Sequence, residues 1–314
     1  MMADYAYTIS YGKLAVPFYR VYARPLSGLR PVPESSFTGR ANVLFAAQVD
    51  VEVFGENFLP AYTEGDNTRV VATDSMKNFV LRQALDYDGA TLEGFLDVLG
   101  HRFLATYADM EALRLTAREL PFEAARVPAS EQPAAFAASD VLFRRTHDDY
   151  STATLDFHRH VGGSTLAAHQ CGRVGLQLLK VTGSAFTSFV RDDYTTLPER
   201  VDRPLFIWMD VHWRYAEASA MLGQTGEGYV AGEQVRDIVQ VLFHEFVSES
   251  IQHLVHRMGL RLLERFPQLA EVSFTAQNRT RDPVAASARD ERIKVYTDPF
   301  PAYGEIKLTV KRGL

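Results

Sequence analysis

The side chains of this sequence best suited to chemistry lie in short segments far apart: Tyr11-Gly12-Lys13, Thr73-Asp74-Ser75, Phe186 through Arg203, Ile251-Gln252 and Asn278. Each has a capability and a plain structural alternative. Lys13 is a base if it is partly removed from water, because desolvation lowers an ammonium pKa. Thr73, Asp74 and Ser75 stand where a strand pattern gives way to a helical stripe, so their oxygens suit N-caps for orphan backbone N–H groups. Arg203 beside Asp202 reads as a solvated ion pair, yet a guanidinium fork also meets carbonyl oxygens in bidentate fashion. Gln252 offers a donor and an acceptor from one amide, and beside an apolar stripe it points out of the core; a wet helix face is the alternative. Phe186, taken alone, reads as core. His158-x-His160, His253-x-x-His256 and His244-Glu245 lack the His-Glu-x-x-His spacing of zinc proteases, so no metal site is expected. Neither a phosphate loop nor a dinucleotide fingerprint occurs, which leaves flavin and nicotinamide without a docking motif.

Those segments need a scaffold, and 314 residues with 46% apolar content suffice for about two domains at ~100–200 residues each. A net charge of −6 gives no bulk attraction to nucleic acid or an anionic membrane, so an anionic ligand must meet a local basic group. The single cysteine, Cys171, excludes an internal disulfide and fits a reducing compartment. The start MMADYAYTISYGK lacks a signal-peptide pattern, and the end Lys311-Arg312-Gly313-Leu314 is not the Ser-Lys-Leu peroxisomal address, so a cytoplasmic location is expected.

Leu92, Phe95, Leu96, Leu99 and Phe103 form an amphipathic helix stripe, and Ile251, Leu254, Val255, Met258 and Leu262 repeat it 159 residues later. At the same offset Met76, Phe79 and Val80 match Val235, Ile238 and Val239, Gly100-x-Arg102 matches Gly259-x-Arg261, and Glu93 matches Gln252. The offset is close to half the chain, as a tandem duplication requires. Each half reads as strands, two helices, then strands. Expected strands are Val43–Phe54, Thr68–Thr73 and Leu113–Leu120, then Gly175–Phe189, Leu205–Tyr215, Val272–Asn278 and Ile306–Val310. Hairpin-linked strands with helices gathered between them predict an α+β fold with antiparallel sheets. Pro25–Thr38 and Val127–Ser139, rich in Pro, Ser, Gly and Ala, are expected to be extended hairpin loops. The domain boundary is expected near Val161-Gly162-Gly163-Ser164, giving domains 1–162 and 163–314.

Taken in order and spacing, Tyr11-Gly12-Lys13, Ala72-Thr73-Asp74-Ser75 with Lys77-Asn78, Arg191-Asp192-Asp193-Tyr194-Thr195-Thr196-Leu197 running on to Asp202-Arg203, Ile251-Gln252 and Asn278 resemble the urate oxidase (uricase) family. The resemblance runs from Tyr11 to about Val310. It implies tandem T-fold (tunnelling fold) domains that form barrels in a homotetramer, with active sites between subunits. One chain would supply Lys13, Thr73 and Asp74, and its neighbour Phe186, Arg203, Ile251, Gln252 and Asn278. It further implies that Lys13 and Thr73 relay a proton and that Arg203 and Gln252 grip urate over the ring of Phe186. Ile251 would line the pocket and offer a backbone N–H, and Asn278 would hold water, dioxygen or peroxide. The implied reaction takes urate and dioxygen to 5-hydroxyisourate and hydrogen peroxide with no cofactor. One departure stands out: many relatives read Asn-x-His where this chain reads Asn278-Arg279-Thr280, and a hydroxyl extends a hydrogen-bond chain without shuttling protons as imidazole does. A pterin-acting T-fold enzyme, which would need a glutamate anchor and usually zinc, and a non-catalytic purine-binding protein are the alternatives. Lys13 with Thr73 discriminates, because simple binding needs no base.

Overall fold

Valines at every second position turn one face of Leu44–Phe54 inward, and Val49, Val51 and Val53 are fully buried there. The computed structural model describes residues 5–129, 132–146, 148–223, 226–279, 281–299 and 301–313. They form two compact units. The first contains the chain up to Arg30, Thr38–Cys171 and Ala218–Tyr229; the second contains Pro31–Phe37, Gly172–Glu217 and the chain from Val230.

In the first unit, β1 (Ser10–Val21), β2 (Leu44–Phe54), β3 (Ala112–Glu119) and β6 (Tyr150–His160) hydrogen-bond in that order, all antiparallel, and β7 (Gly163–Lys180) follows β6 through a turn at Val161-Gly162. α1 (Pro60–Thr63), α2 (Thr73–Asp86) and α3 (Leu92–Thr106) lie between β2 and β3, and α4 (Ser219–Leu222) also belongs to this unit. Among the described residues, β4 (Phe122–Ala129) and β5 (Gln132–Arg145) pair only with each other. The expected loop at Val127–Ser139 is therefore mostly ladder. Its described side chains are mostly half-buried or exposed, so little alternation was there to read.

In the second unit β7, β8 (Leu205–Tyr215), β9 (Leu269–Asn278) and β12 (Gly304–Lys311) are ordered neighbours, with β10 (Pro283–Ala286) and β11 (Lys294–Tyr296) as a separate small pair. Here the helices are α5 (Gly232–Glu245) and α6 (Ile251–Arg265). The result is α+β with antiparallel sheets. Every apolar residue of the α3 and α6 stripes is buried. Among the described residues no helix is long and apolar enough to cross a membrane.

The helices repeat at an offset of 159 to the residue: α1 and α4, α2 and α5, α3 and α6. Their caps repeat too. Thr91 accepts from the Gly94 N–H at 3.1 Å, and Ser250 from that of His253 at 3.0 Å. At the other end Arg159 donates to the carbonyls of Leu104, Tyr107 and Met110, and Arg312 to those of Leu263, Phe266 and Leu269, so cations sit on the negative ends of α3 and α6. Gly100 and Gly259 serve one purpose: a Cβ on them would stand 2.4 Å from the Phe157 ring and 2.8 Å from Val310. Helix and strand approach more closely than any side chain would allow.

Three local expectations fail for identifiable reasons. Thr68–Thr73 is not a strand: the Asp66 carboxylate accepts from the Thr68 N–H at 2.9 Å, forming a turn, and α2 already begins at Thr73. The strand expected to reach Phe189 ends at Lys180, because Gly183 adopts φ 79° and donates its N–H to Asp202. Finally, the N-cap of α2 is Ala72 with no side-chain bond, so Thr73, Asp74 and Ser75 are helical residues. Pro25–Thr38 does join β1 to β2 without a strand of its own, but it is pinned: Leu26, Leu29 and Val32 are buried. Within the second unit Glu34 binds Arg261 at 2.6 Å and Arg265 at 2.9 Å, and Ser35 donates to Asp237 at 2.5 Å.

Candidate active site

Antiparallel neighbours bring alternate strand ends to one edge, and in the second unit that edge carries five of the expected residues. The chain leaving β7, the chain entering β8 and the last residue of β9 all fall there. Beyond β7, Phe186 exchanges both backbone hydrogen bonds with Arg200, at 2.7 and 3.0 Å, and the Arg203 N–H donates to the Ser184 carbonyl at 2.8 Å. Ser184 also bridges Ser248, and the Ala185 N–H donates to the Ser248 carbonyl at 2.8 Å. Two residues later Ser250 caps α6, whose first residues are Ile251, buried, and Gln252, exposed. Phe186, Arg203, Ile251 and Gln252 are thus tied into one corner by main-chain bonds.

The Arg203 guanidinium lies 5.5 Å from the Phe186 ring centroid. Its expected ion pair with Asp202 is not made. Asp202 instead accepts from the Thr182 hydroxyl at 2.7 Å and from the Gly183 N–H at 2.6 Å, contacts that hold its pKa below the usual carboxylate range. Asp202 thereby fixes the loop, and Arg203 keeps a buried Nε with no partner. Burial, and then the neighbouring charge of Arg200, lower the Arg203 pKa, although a guanidinium remains charged near neutrality. A half-buried cation with an unused donor is costly unless an acceptor arrives. Asn278, the last residue of β9, repeats the pattern: its Oδ1 is buried and unpartnered.

In the first unit Lys13 lies on β1 opposite Val51, just before a bulge at which Ala15 takes φ 58° and donates its N–H to Asp50 at 2.7 Å. Two residues earlier on the same face, the Tyr11 hydroxyl accepts from the Val71 N–H at 2.8 Å, and its ring meets Phe58 edge-on. Tyr11 therefore holds the chain immediately ahead of α2. Gly12 between them admits no side chain, since a Cβ would sit 1.9 Å from the Val51 carbonyl. Thr73 and Asp74 are exposed in the first turn of α2. Asp74 is bound by Lys77 at 2.6 Å and Asn78 at 2.9 Å; the Lys77 bond foremost, with a smaller contribution from the charge of Lys13, lowers its pKa.

The sequence matches the family model described as Uricase over residues 49–147 and 169–307. The chain belongs to the uricase family. Among family proteins, it is 51% identical to a uricase of Haloferax volcanii over 87% of this chain and 88% of that protein. It is 45% identical to the uric acid degradation bifunctional protein PucL of Bacillus subtilis over 97% of this chain, and spans 61% of that longer protein. The crystal structure of the urate oxidase of Bacillus sp. TB-90 superimposes with a TM-score of 0.93 at 43% identity, covering 97% of this chain and 100% of that one.

Within this uricase-family site, sequence reasoning overlooked several contacts. Phe189 stacks on Phe186 at 4.9 Å with planes 10° apart, and Arg191 lies 5.5 Å from the Phe189 centroid. Phe186 is thus half-buried and backed on one face. The Phe-x-x-Phe spacing was visible in the sequence, but a stacked pair has no sequence signature separate from core. Arg279 lies between two aromatic rings, Trp208 and Tyr303, and nothing in Asn-Arg-Thr points to that. Thr280 lies outside the described residues. Among those residues, no group of three or more His, Cys, Asp or Glu side chains is arranged to hold a metal ion.

Proposed function

We propose that the chain is a urate oxidase that converts urate, dioxygen and water to 5-hydroxyisourate and hydrogen peroxide without a cofactor, in purine degradation. The observation that carries this reading is the half-buried Arg203 guanidinium, relieved of Asp202, with an unused Nε donor beside the half-buried Phe186 ring. Urate is a planar anion edged with alternating carbonyl and N–H groups. Arg203 would donate to its carbonyl edge and Gln252 would both donate and accept, while the ring lies on the face of Phe186 that Phe189 leaves uncovered. Stacking of such heterocycles supplies roughly 1–3 kcal/mol. Ile251 would close the apolar side and offer its N–H.

Lys13 would take a proton through the Thr73 hydroxyl, beside Asp74, leaving the purine electron-rich enough to give two electrons to dioxygen held at Asn278. Peroxide leaves with two protons, and the oxygen of water ends on the purine. We assign the two halves, 1–162 and 163–314, as tandem T-fold domains. The working form is a homotetramer whose sites lie between subunits, the Lys13 group from one and the Arg203 group from its neighbour. The compartment is the cytoplasm.

The test is aerobic incubation of the purified protein with urate and a chelator, following urate absorbance and peroxide together. Coupled urate loss and peroxide formation is expected. Urate bound without turnover would replace this reading with a purine-binding protein, and activity lost to the chelator would return the pterin-type, metal-dependent alternative.

A further inference from the structure

We infer that Arg279 is a positioning residue for Asn278, acting from the opposite face of β9. The inference rests on the reading of Asn278 as the dioxygen-holding residue. Val272, Phe274 and Ala276 turn into the helix-covered core, and Asn278 continues that face at the strand's end. Because its Oδ1 has no partner, no hydrogen bond at that atom fixes the amide. What fixes it is the backbone on either side, paired with Ile207 of β8 and Gly304 of β12.

Arg279 secures that backbone. Its N–H donates to the Phe206 carbonyl at 2.9 Å, carrying the β8–β9 ladder one residue beyond Asn278. Its side chain turns to the other face and lies between Trp208 of β8 and Tyr303, which directly precedes β12, with Cζ 3.9 Å from each ring centroid. Nη2 also donates to Gln277. One planar cation thus pins three strands where Asn278 projects. Gly304, next to Tyr303, lies against the same residue: a Cβ there would be 4.0 Å from the Asn278 Cβ. A flat guanidinium fits between two rings, whereas a lysine ammonium reaches the slot as a point charge without filling it. A misplacement of about an ångström at a reacting group costs up to about 10²-fold in rate.

The test compares steady-state turnover at varied dioxygen with anaerobic urate binding in Arg279→Ala, Arg279→Lys, Trp208→Phe and Asn278→Ala, with Arg279→Ala also placed in the Asn278→Ala background. We expect Arg279→Ala to raise the KM for dioxygen or lower kcat by about 10- to 100-fold, with urate affinity within about twofold. Arg279→Lys should fall between, Trp208→Phe should retain most activity, and Arg279→Ala should add little once Asn278 is gone. If Arg279→Ala is insoluble, Arg279→Lys carries the same readouts. Both kcat and the KM for dioxygen unchanged in both Arg279 variants, even with a lowered Tm, would overturn the positioning role provided Asn278→Ala is itself impaired. An unimpaired Asn278→Ala would instead remove the reading on which the inference rests.

Discussion

Replacing Arg203 by lysine separates charge from geometry at the proposed urate grip. The backbone N–H that bonds Ser184 survives the substitution, so the loop between Phe186 and β8 keeps its anchor, and Asp202 keeps its bonds to Thr182 and Gly183. What changes is the fork. An arginine delivers two parallel donors to a planar edge, one of them the Nε that is now unused, while lysine delivers one. A hydrogen bond to a charged group contributes about 1.5–3 kcal/mol, which at 1.4 kcal/mol per decade predicts a Kd for urate about 10- to 150-fold weaker. Arg203→Ala should cost about 2–5 kcal/mol, since the anion then loses its guanidinium partner. Arg200→Ala serves as the charge control: its side chain pairs with Asp282 at 3.2 Å near the surface, so its loss should change Kd less than about fivefold. Anaerobic calorimetry with urate reads all three without turnover. Lysine binding as tightly as arginine, or Arg200→Ala as weak as Arg203→Ala, would mean that the site uses a diffuse field and that the fork is not the recognition element.

Lys13→Met should lower kcat at least about 10²-fold while leaving anaerobic urate binding nearly intact, as expected for a general base; a change confined to KM would contradict a proton role. Glu34→Gln should destabilise the fold by about 1–3 kcal/mol at neutral pH by weakening its bonds to Arg261 and Arg265. Burial alone would raise the Glu34 pKa, but the bonds from Arg265 and Arg261 outweigh it and the net shift is downward. A lowered folded-state pKa gives stability that is present above the ordinary glutamate range and lost as pH falls through the folded value. The wild-type advantage in urea melts should therefore shrink on acidification, and an advantage that grew would refute the assignment. Cys171 is buried and its thiol pKa is pushed well up, first by burial and then by Glu93, so it should resist iodoacetamide at pH 8 until denaturant opens the fold. Fast labelling of the native protein would show that the first unit opens locally.

The helix pairs were legible because their signal is local and periodic: the stripes at Leu92 and Ile251 predicted two helices whose bounds repeat at the same sequence offset in the structure. The strands at Leu205–Tyr215 and around Val49–Val53 were legible for the same reason, alternation enforced by one buried face. The β4–β5 ribbon was not, because its described side chains are mostly half-buried or exposed and write no strong alternation. Thr68–Thr73 misled because apolar Val70 and Val71 outweighed an Asp66 whose carboxylate closes a turn. For the site, residue types were readable but their hydrogen-bond partners were not. Asp202 next to Arg203 in sequence suggested a pair, yet the acceptor went to Thr182 and Gly183, some twenty residues away. Adjacency along a chain does not decide a pair when a hydroxyl and a backbone N–H from another segment reach the carboxylate first.

The repeat of the helices at an offset of 159 adds a constraint that single residues do not show. Each half has two equivalent corners: the first turn of its first long helix and the first turn of its second. In the first half Thr73-Asp74 is exposed, while its counterpart Gly232-Glu233 is buried; in the second half Gln252 is exposed, while its counterpart Glu93 is only 3% exposed. Each buried corner is covered by a segment of chain. Glu93 accepts from the Tyr229 hydroxyl at 3.1 Å, in the piece Ala218–Tyr229 that belongs to the first unit, and burial raises its pKa. At the N-terminal half of α5, Gln234 donates to the Phe37 carbonyl at 3.4 Å and Ser35 bonds Asp237, both through Pro31–Phe37 of the second unit. The two segments that leave their sequence neighbours for the other unit thus lie against the first turn of α3 and the N-terminal half of α5, respectively. Under the proposed function, a carboxylate at the Glu93 corner would repel urate, where the Gln252 amide would donate to it. Glycine at the Gly232 corner has no hydroxyl for the relay proposed for Thr73. Under the proposed function, the four equivalent helix starts leave one exposed Thr-Asp corner and one exposed Arg-Phe-Gln corner per chain, which would be the proton-handling and anion-gripping halves of the site.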